Sequence, residues 1–177
     1  METARFVARL AGASIGATFN FYGEGRGAKL RRARLRAYLA SRANARIVLV
    51  GEAAGYRGAR VSGLPFTSER QLSGRAPGEA TATIVHRVLA ELGLEEEALL
   101  WNLVPTHPHH VGRPASNRCP TRAEIEAGTP FLEELARGRT PVPVGRLAHA
   151  VLGGRYLRHP SHGGAAAFRA GLVEYGL

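Results

Sequence analysis

Short apolar runs alternate with amphipathic helical segments along most of this chain, and this alternation constrains the fold more than any other feature. The β-branched run at 46–50 ends at a glycine and is typical of a buried parallel strand. Further strands are predicted at 99–104, at 141–144 with two prolines, and at 155–158, and helices at 28–41, 80–92, 121–137, 145–152 and 165–175. Strands separated by helices pair in parallel. The sequence therefore predicts an α/β fold, a three-layer α/β/α sandwich with a central, mostly parallel four-stranded sheet.

The helix predicted at 28–41 combines an apolar stripe with a strongly basic face. Its buried stripe is predicted to comprise Leu30, Leu35, Tyr38 and Leu39, and its solvated face Arg31, Arg32, Arg34 and Arg36. The arginines are interpreted either as an ordinary solvated face or as a strip that contacts DNA.

Three loops follow predicted strands, at 51–68, 102–110 and 159–164. Ligands of open parallel sheets bind at the carboxyl ends of the strands. The three loops should therefore meet at one edge of the sheet and form the working surface of a single domain spanning residues 1–177.

The charge of the chain is strongly basic, at +10, and every basic residue except Lys29 is arginine. This bias reflects either the base composition of the genome or a polyanionic partner, since guanidinium groups pair well with phosphate. The one cysteine, Cys119, excludes an intramolecular disulfide and a cluster held by several thiolates of one chain. No signal-peptide or membrane-span pattern is present, so a cytoplasmic location without membrane association is expected.

Each of the three loops contains residues that could carry chemistry. The first is rich in glycine, which allows a close backbone approach to a ligand. Asn102 offers an amide that can either read the edge of a base or serve as a turn residue. His159 could donate to a developing anion or lie in an ordinary turn. The histidines His107, His109, His110, His159 and His162 raise the possibility of a metal, but no ligand spacing supports one, so no metal or cofactor is expected.

Taken together, these motifs are far more specific than any one of them. The sequence Gly51-Glu-Ala-Ala-Gly, then Gly63-Leu-Pro-Phe, Asn102 and His159-Pro-Ser resembles the uracil-DNA glycosylase superfamily. The stretches beginning at Asn117, Pro130 and Val144 are similar to the thermophilic iron–sulfur branches of that superfamily. The resemblance implies a monofunctional glycosylase that flips uracil out of DNA and hydrolyses its N-glycosidic bond, acting in base-excision repair.

The resemblance also implies roles for individual residues. Phe66 would stack on uracil, Asn102 would bind its amide edge, His159 would support the uracil anion, and Ser161 would hold a backbone phosphate. The predicted catalytic residues are Glu52, His159 and His109; the predicted substrate contacts are Gly51, Ala53, Tyr56, Arg57, Phe66 and Asn102; and the predicted DNA contacts are Ser161, His162, Gly163 and Arg57.

Three departures from the family pattern accompany the resemblance. Ala53 stands where the superfamily often has an Asp or Asn that positions water, which leaves Glu52 for that role, with His109, Arg57 and Tyr56 as further candidates. The cluster cysteines are missing, with Gly128 at one of their positions, so a cluster-free relative is expected. The sequence after Ser161 offers no apolar wedge, only His162 and two glycines.

The expected partner is uracil-containing DNA, and the expected oligomeric state is a monomer. Two other functions stay open: a glycosylase for another deaminated base such as hypoxanthine, and a non-catalytic binder of damaged DNA, which the alanine at position 53 would favour.

Overall fold

The computed structural model describes residues 2–175 as an α/β fold with helices on both faces of a parallel sheet. Its strands are β1 (Thr18–Phe19), β2 (Ile47–Ala53), β3 (Ala98–Val104), β4 (His107–Pro108) and β5 (Thr140–Pro143). Its helices are α1 (Thr3–Gly12), α2 (Ala28–Ser41), α3 (Ala59–Ser62), α4 (Glu69–Ser73), α5 (Ala80–Glu91), α6 (Arg122–Ala136), α7 (Arg146–Leu152) and α8 (Ala165–Glu174). Within residues 2–175, no helix has both the length and the apolar character needed to cross a bilayer.

The main sheet has the order β3-β2-β5, and both pairings are parallel. The first five residues of β2 are buried, because the strand lies between two neighbours and is covered by helices on both faces. Alternate side chains serve opposite layers: Val48 and Val50 pack into one apolar cluster, whereas Ile47 and Leu49 pack into another. The first cluster includes residues of α1, α2 and α6, and the second includes residues of α5 and α8. These two clusters are the cores between the three layers.

The two prolines of β5 fit the sheet because β5 is an edge strand. Backbone amides on either side of Pro141 and Pro143 donate to β2: Thr140 to the Arg46 carbonyl at 2.9 Å and Val144 to the Val50 carbonyl at 2.8 Å. Successive residues of a strand alternate in direction, so the prolines fall on the side without a partner strand.

The prediction of a four-stranded sheet is wrong for its last strand. In the described part of the chain the main sheet has three strands, and the segment 155–158 contributes a single parallel bridge between Leu157 and Val144. The bridge stops there because Arg155 and Tyr156 are exposed, so the segment lacks the continuous apolar run that a buried strand needs.

The helix at 28–41 has the predicted bounds, but two of its side chains were assigned to the wrong environment. Leu30 is 53% exposed, whereas Arg31 is only 9% exposed. The Arg31 Nε donates to the Phe21 carbonyl at 2.6 Å, so the loop before α2 satisfies the buried guanidinium. Arg34 is likewise only partly exposed and forms a bidentate pair with Glu69.

Candidate active site at the carboxyl ends of the strands

A cavity of about 550 Å³ opens at the carboxyl ends of the main-sheet strands. It is lined by residues from all three predicted loops, including Glu52, Ala53, Phe66, Asn102, His159, Ser161 and His162. The strands β2 and β3 are in parallel register with Gly51 opposite Asn102, and both strands end within two residues of that pair. The topology of the sheet therefore brings together side chains that are more than 100 positions apart in sequence.

The floor of the cavity contains an aromatic ring beside a carboxamide. The Phe66 ring and the Asn102 amide both approach Gly51: a Cβ there would overlap Phe66 Cζ and lie 2.9 Å from Asn102 Oδ1. Asn102 is only 4% exposed, and its amide has no side-chain hydrogen bond to any residue in the range 2–175. The amide is therefore free to pair with a ligand that enters the cavity.

Phe66 holds its place in a backbone conformation that side chains seldom adopt, with φ at +50°. Hydrogen bonds hold the residue that follows Phe66. The Ser62 hydroxyl donates to the Thr67 carbonyl at 2.7 Å, and the Thr67 hydroxyl lies 2.9 Å from His86 Nε2 on α5. Strained residues of this kind persist where surrounding contacts over-determine them, and they are common at functional sites.

His159 has a defined tautomer. The Ser161 backbone N–H donates to His159 Nδ1 at 3.2 Å, and the Ser161 hydroxyl lies 2.7 Å from the same nitrogen. A backbone N–H can only donate, so Nδ1 accepts and the neutral ring carries its proton on Nε2. Burial lowers the pKa of His159, and the charges of Arg158 and His162 lower it further. At neutral pH the ring is therefore an uncharged donor that lines the cavity.

The loop after His159 leads directly into α8. His162 is exposed with φ at +51°, and its Nδ1 lies 3.0 Å from the Ser161 hydroxyl. Gly163 is exposed beside it, and α8 begins at Ala165. Unpaired amides at a helix start suit an anion, so this loop could hold a phosphate next to the cavity.

The end of β2 contributes one carboxylate to the cavity. Glu52 lies near Cys119, and its carboxylate raises the pKa of the Cys119 thiol. Ala53 also lines the cavity and is in register with Val104. A methyl side chain supplies no polar atom, so water must be handled by another residue if the site performs hydrolysis.

Five of the predicted site residues are not among those lining the cavity: Gly51, Tyr56, Arg57, His109 and Gly163. Arg57 is exposed, with its guanidinium 5.3 Å from the Tyr56 ring centroid. The His109 ring stacks on the His107 ring at 5.7 Å. It is directed away because His107–Pro108 forms an antiparallel pair with β1, which turns the chain after β3 towards the N-terminal segment.

Other cavity residues were missed by the sequence interpretation, namely Glu79, Thr81, Asn117, Arg118 and Arg146. Asn117 Oδ1 accepts from the Tyr56 backbone N–H at 3.0 Å, which fixes the glycine-rich loop after β2. Arg118 pairs with Glu124 at the start of α6 through two hydrogen bonds of 2.6 and 2.8 Å. No spacing in the sequence links these residues to the three loops. Among residues 2–175, no cluster of His, Cys, Asp or Glu could hold a metal ion.

Comparisons with known proteins agree with this architecture. The family described as the Uracil DNA glycosylase superfamily matches residues 39–172, a span that contains all three strands of the main sheet and every residue lining the cavity. The chain is also similar to the crystal structure of wild-type SMUG2 from Pedobacter heparinus, with a TM-score of 0.67 and 15% identity over 99% of this chain and 96% of that chain. At that identity the likeness is one of fold. A sequence comparison with curated proteins gives no match.

Proposed function

The chain belongs to the uracil DNA glycosylase superfamily, and we propose that it excises uracil from DNA by hydrolysing the N-glycosidic bond, leaving an abasic site. The family assignment supports a DNA glycosylase, that is, a hydrolase of base-excision repair. The choice of uracil rests on the floor of the cavity, where the Phe66 ring lies beside the unpaired Asn102 carboxamide.

The pocket suits a flipped pyrimidine. The Phe66 ring provides a flat face for stacking, which contributes on the order of 1–3 kcal/mol per base. The Asn102 amide presents one acceptor and two donors, which match the N3–H and carbonyl groups of uracil. Gly51 allows the backbone of β2 to approach the base closely, because any side chain there would meet both groups.

The leaving group is the uracil anion, and His159 is the donor that stabilises it. Breaking the bond between C1′ and N1 moves negative charge onto the base, and a preorganised N–H aimed at that charge lowers the barrier. Ser161 fixes the ring so that Nε2 carries the proton. The lowered pKa keeps the ring neutral, so it donates a hydrogen bond without a positive charge of its own.

The surroundings of the cavity suit DNA. Ser161, His162 and Gly163 would contact a backbone phosphate next to the flipped nucleotide, and the exposed Arg57 would contact the strand from the other side of the glycine-rich loop. In the segment after Ser161, His162 is the side chain that could occupy the gap left by the flipped base, since two glycines follow it.

The deciding measurement is base release from an oligonucleotide that carries one uracil, read out by alkali cleavage of the abasic site. The wild-type protein should cleave the single-stranded or the double-stranded substrate. Asn102→Ala and His159→Ala should each slow excision by about 100-fold or more, because each removes a group that acts on the base or on its developing charge. Thermal unfolding checks that both variants fold.

Parallel substrates separate the remaining possibilities. Release of hypoxanthine or a substituted uracil, without release of uracil, would contradict the proposed specificity for uracil but would still support a glycosylase activity. Tight binding of uracil DNA without release of any base would contradict the proposed activity and favour a damage-binding protein.

A further inference from the structure

The cavity contains two carboxylates among the residues that the structure describes, Glu52 and Glu79. A carboxylate near bound DNA repels the phosphates, so its presence in the cavity of a protein with a net charge of +10 calls for a specific role. The two groups differ in their surroundings. Glu52 is at the end of β2 and lies near the Cys119 thiol. Glu79 comes from a different part of the chain, the segment just before α5.

Glu79 occupies the N-cap position of α5 without capping it. Short side chains such as Asp at this position usually accept from the free amides of the first helical turn, which stabilises a helix by about 1 kcal/mol, but the longer Glu is not a preferred cap. The Glu79 carboxylate makes no such bond. It lies instead against the glycine-rich loop, where a Cβ at Gly58 would overlap Oε2 and a Cβ at Gly55 would lie 2.9 Å from Oε1. The two glycines therefore make room for this carboxylate at the cavity wall.

The carboxylate of Glu79 has no hydrogen bond or ion pair with any side chain in the range 2–175, although the residue is half-buried. A half-buried charge without a partner is unfavourable for folding. Because Glu79 lines the cavity, a water molecule in the cavity is a natural partner for its carboxylate.

We propose that Glu79 is the catalytic base of this site and accepts a proton from the attacking water. The inference rests on the proposed function, because it names the residue that handles the water of that hydrolysis. In the balanced step, the water oxygen bonds to C1′ as the C1′–N1 bond breaks. The electron pair of that bond leaves with uracil as its anion, and the water proton passes to the Glu79 carboxylate. The same negative charge stabilises the oxocarbenium character of the sugar. The Glu79 carboxylate, just before α5, thus supplies the polar group that the alanine at position 53 lacks.

Burial of Glu79 supports this role, since it raises the pKa of its carboxyl group and makes the carboxylate a stronger base. The other charged or titratable groups that line the cavity are Glu52, Arg118, Arg146, His159 and His162. Arg70 lies against Gly78, next to Glu79, and Tyr56 and Arg57 lie in the loop between Gly55 and Gly58, the two glycines that Glu79 approaches.

The test compares single-turnover excision of uracil by Glu79→Gln, Glu79→Ala and Glu52→Ala, with Glu91→Gln as the control. Glu91 carries the same charge at the far end of α5, outside the cavity. Both Glu79 variants should excise roughly 100- to 10,000-fold more slowly, while their affinity for uracil DNA is kept or increased. Added formate should restore excision to Glu79→Ala, because it places a carboxylate in the vacated space, and should have no effect on Glu91→Gln.

A second readout is the pH profile of the excision rate. The acid-side inflection of the wild type should be kept in Glu91→Gln and displaced in Glu79→Gln, which a purely structural role of Glu79 would not produce. The inference is overturned if Glu79→Gln folds, binds uracil DNA and excises within tenfold of the wild type. It is also overturned if Glu52→Ala is the variant that loses activity and regains it with formate. Either result leaves the proposed function intact, whereas a wild-type protein that releases no uracil contradicts that function itself.

Discussion

At the scale of one residue, Gly51 shows how tightly the side chains at the floor of the cavity pack against the backbone of β2. Any Cβ at this position would meet both the Phe66 ring and the Asn102 amide. Gly51→Ala should therefore push Phe66 out of its strained conformation and shift the amide. We expect overpacking to lower the free energy of unfolding by about 1–3 kcal/mol. The activation free energy of uracil excision should rise by more than that. Denaturant unfolding and the uracil excision assay measure the two effects.

Gly12→Ala is the matched control for that change. Gly12 is the last residue of α1, and a Cβ there would meet nothing within 4 Å. This substitution should leave excision unchanged and stability the same or slightly higher. Equal losses of activity in the two variants would show that Gly51 does not act through the pocket.

The residues that line the cavity were predictable only where a motif named them. Phe66, Asn102 and His159 are found from short sequence patterns, and the parallel topology explains why they meet. Glu79 could not be found in this way, because it belongs to none of these motifs and a single Glu before a helix indicates no function. Only the three-dimensional fold shows that its carboxylate turns to the glycine-rich loop.

At the scale of elements, α6 is anchored to the cavity wall through its first turn. Thr121 and Glu124 form a capping box, and Glu124, only 2% exposed, also accepts two hydrogen bonds from Arg118. Arg118→Met should destabilise the protein by about 3–5 kcal/mol, because it leaves a buried carboxylate without its cation. Chemical denaturation at pH 7 measures this loss.

The same pair predicts a pH dependence with a definite sign. Hydrogen bonds from Arg118 lower the pKa of Glu124 below its ordinary value of 4.5. The pair therefore stabilises the fold above pH 4.5, and this contribution is lost as the pH falls through the lower folded-state pKa.

Arg122→Met, which removes the exposed pair with Glu126 on the same helix, should change stability by less than about 1 kcal/mol. Comparable losses in the two variants would contradict a special role for the buried pair.

The elements themselves were predictable where periodicity extended over many residues. The helix at 28–41 and the strand at 99–104 agree with the structure within one residue. The segment at 155–158 did not form a strand, since a four-residue run with two exposed side chains cannot bury a face. The short pairing of β1 with β4 and the helix α1 were not predicted. The β1–β4 ladder joins residues almost 90 positions apart, which no local pattern records.

At the scale of the whole molecule, not all of the excess of arginine is available to a polyanionic partner. Part of it is structural: Arg31, Arg118 and Arg139 satisfy backbone carbonyls or a buried carboxylate and are not available to a ligand. The net charge of +10 therefore overstates the number of arginines that can contact phosphate. Under the proposed function, the arginines expected to contact phosphate are the exposed ones at the carboxyl edge of the sheet.

Arg146 is such a residue, since it is exposed and lines the cavity. If it neutralises one phosphate, Arg146→Ala should weaken binding of uracil DNA and reduce the slope of log affinity against log salt by about 0.9 on duplex or about 0.7 on single strands. Arg137→Ala is the control, because Arg137 is exposed at the opposite edge of the sheet, just before β5 begins. Fluorescence anisotropy between about 50 and 200 mM salt measures both slopes. A slope that falls equally in the two variants would mean that DNA is attracted by the charge of the whole surface and not held at the carboxyl edge.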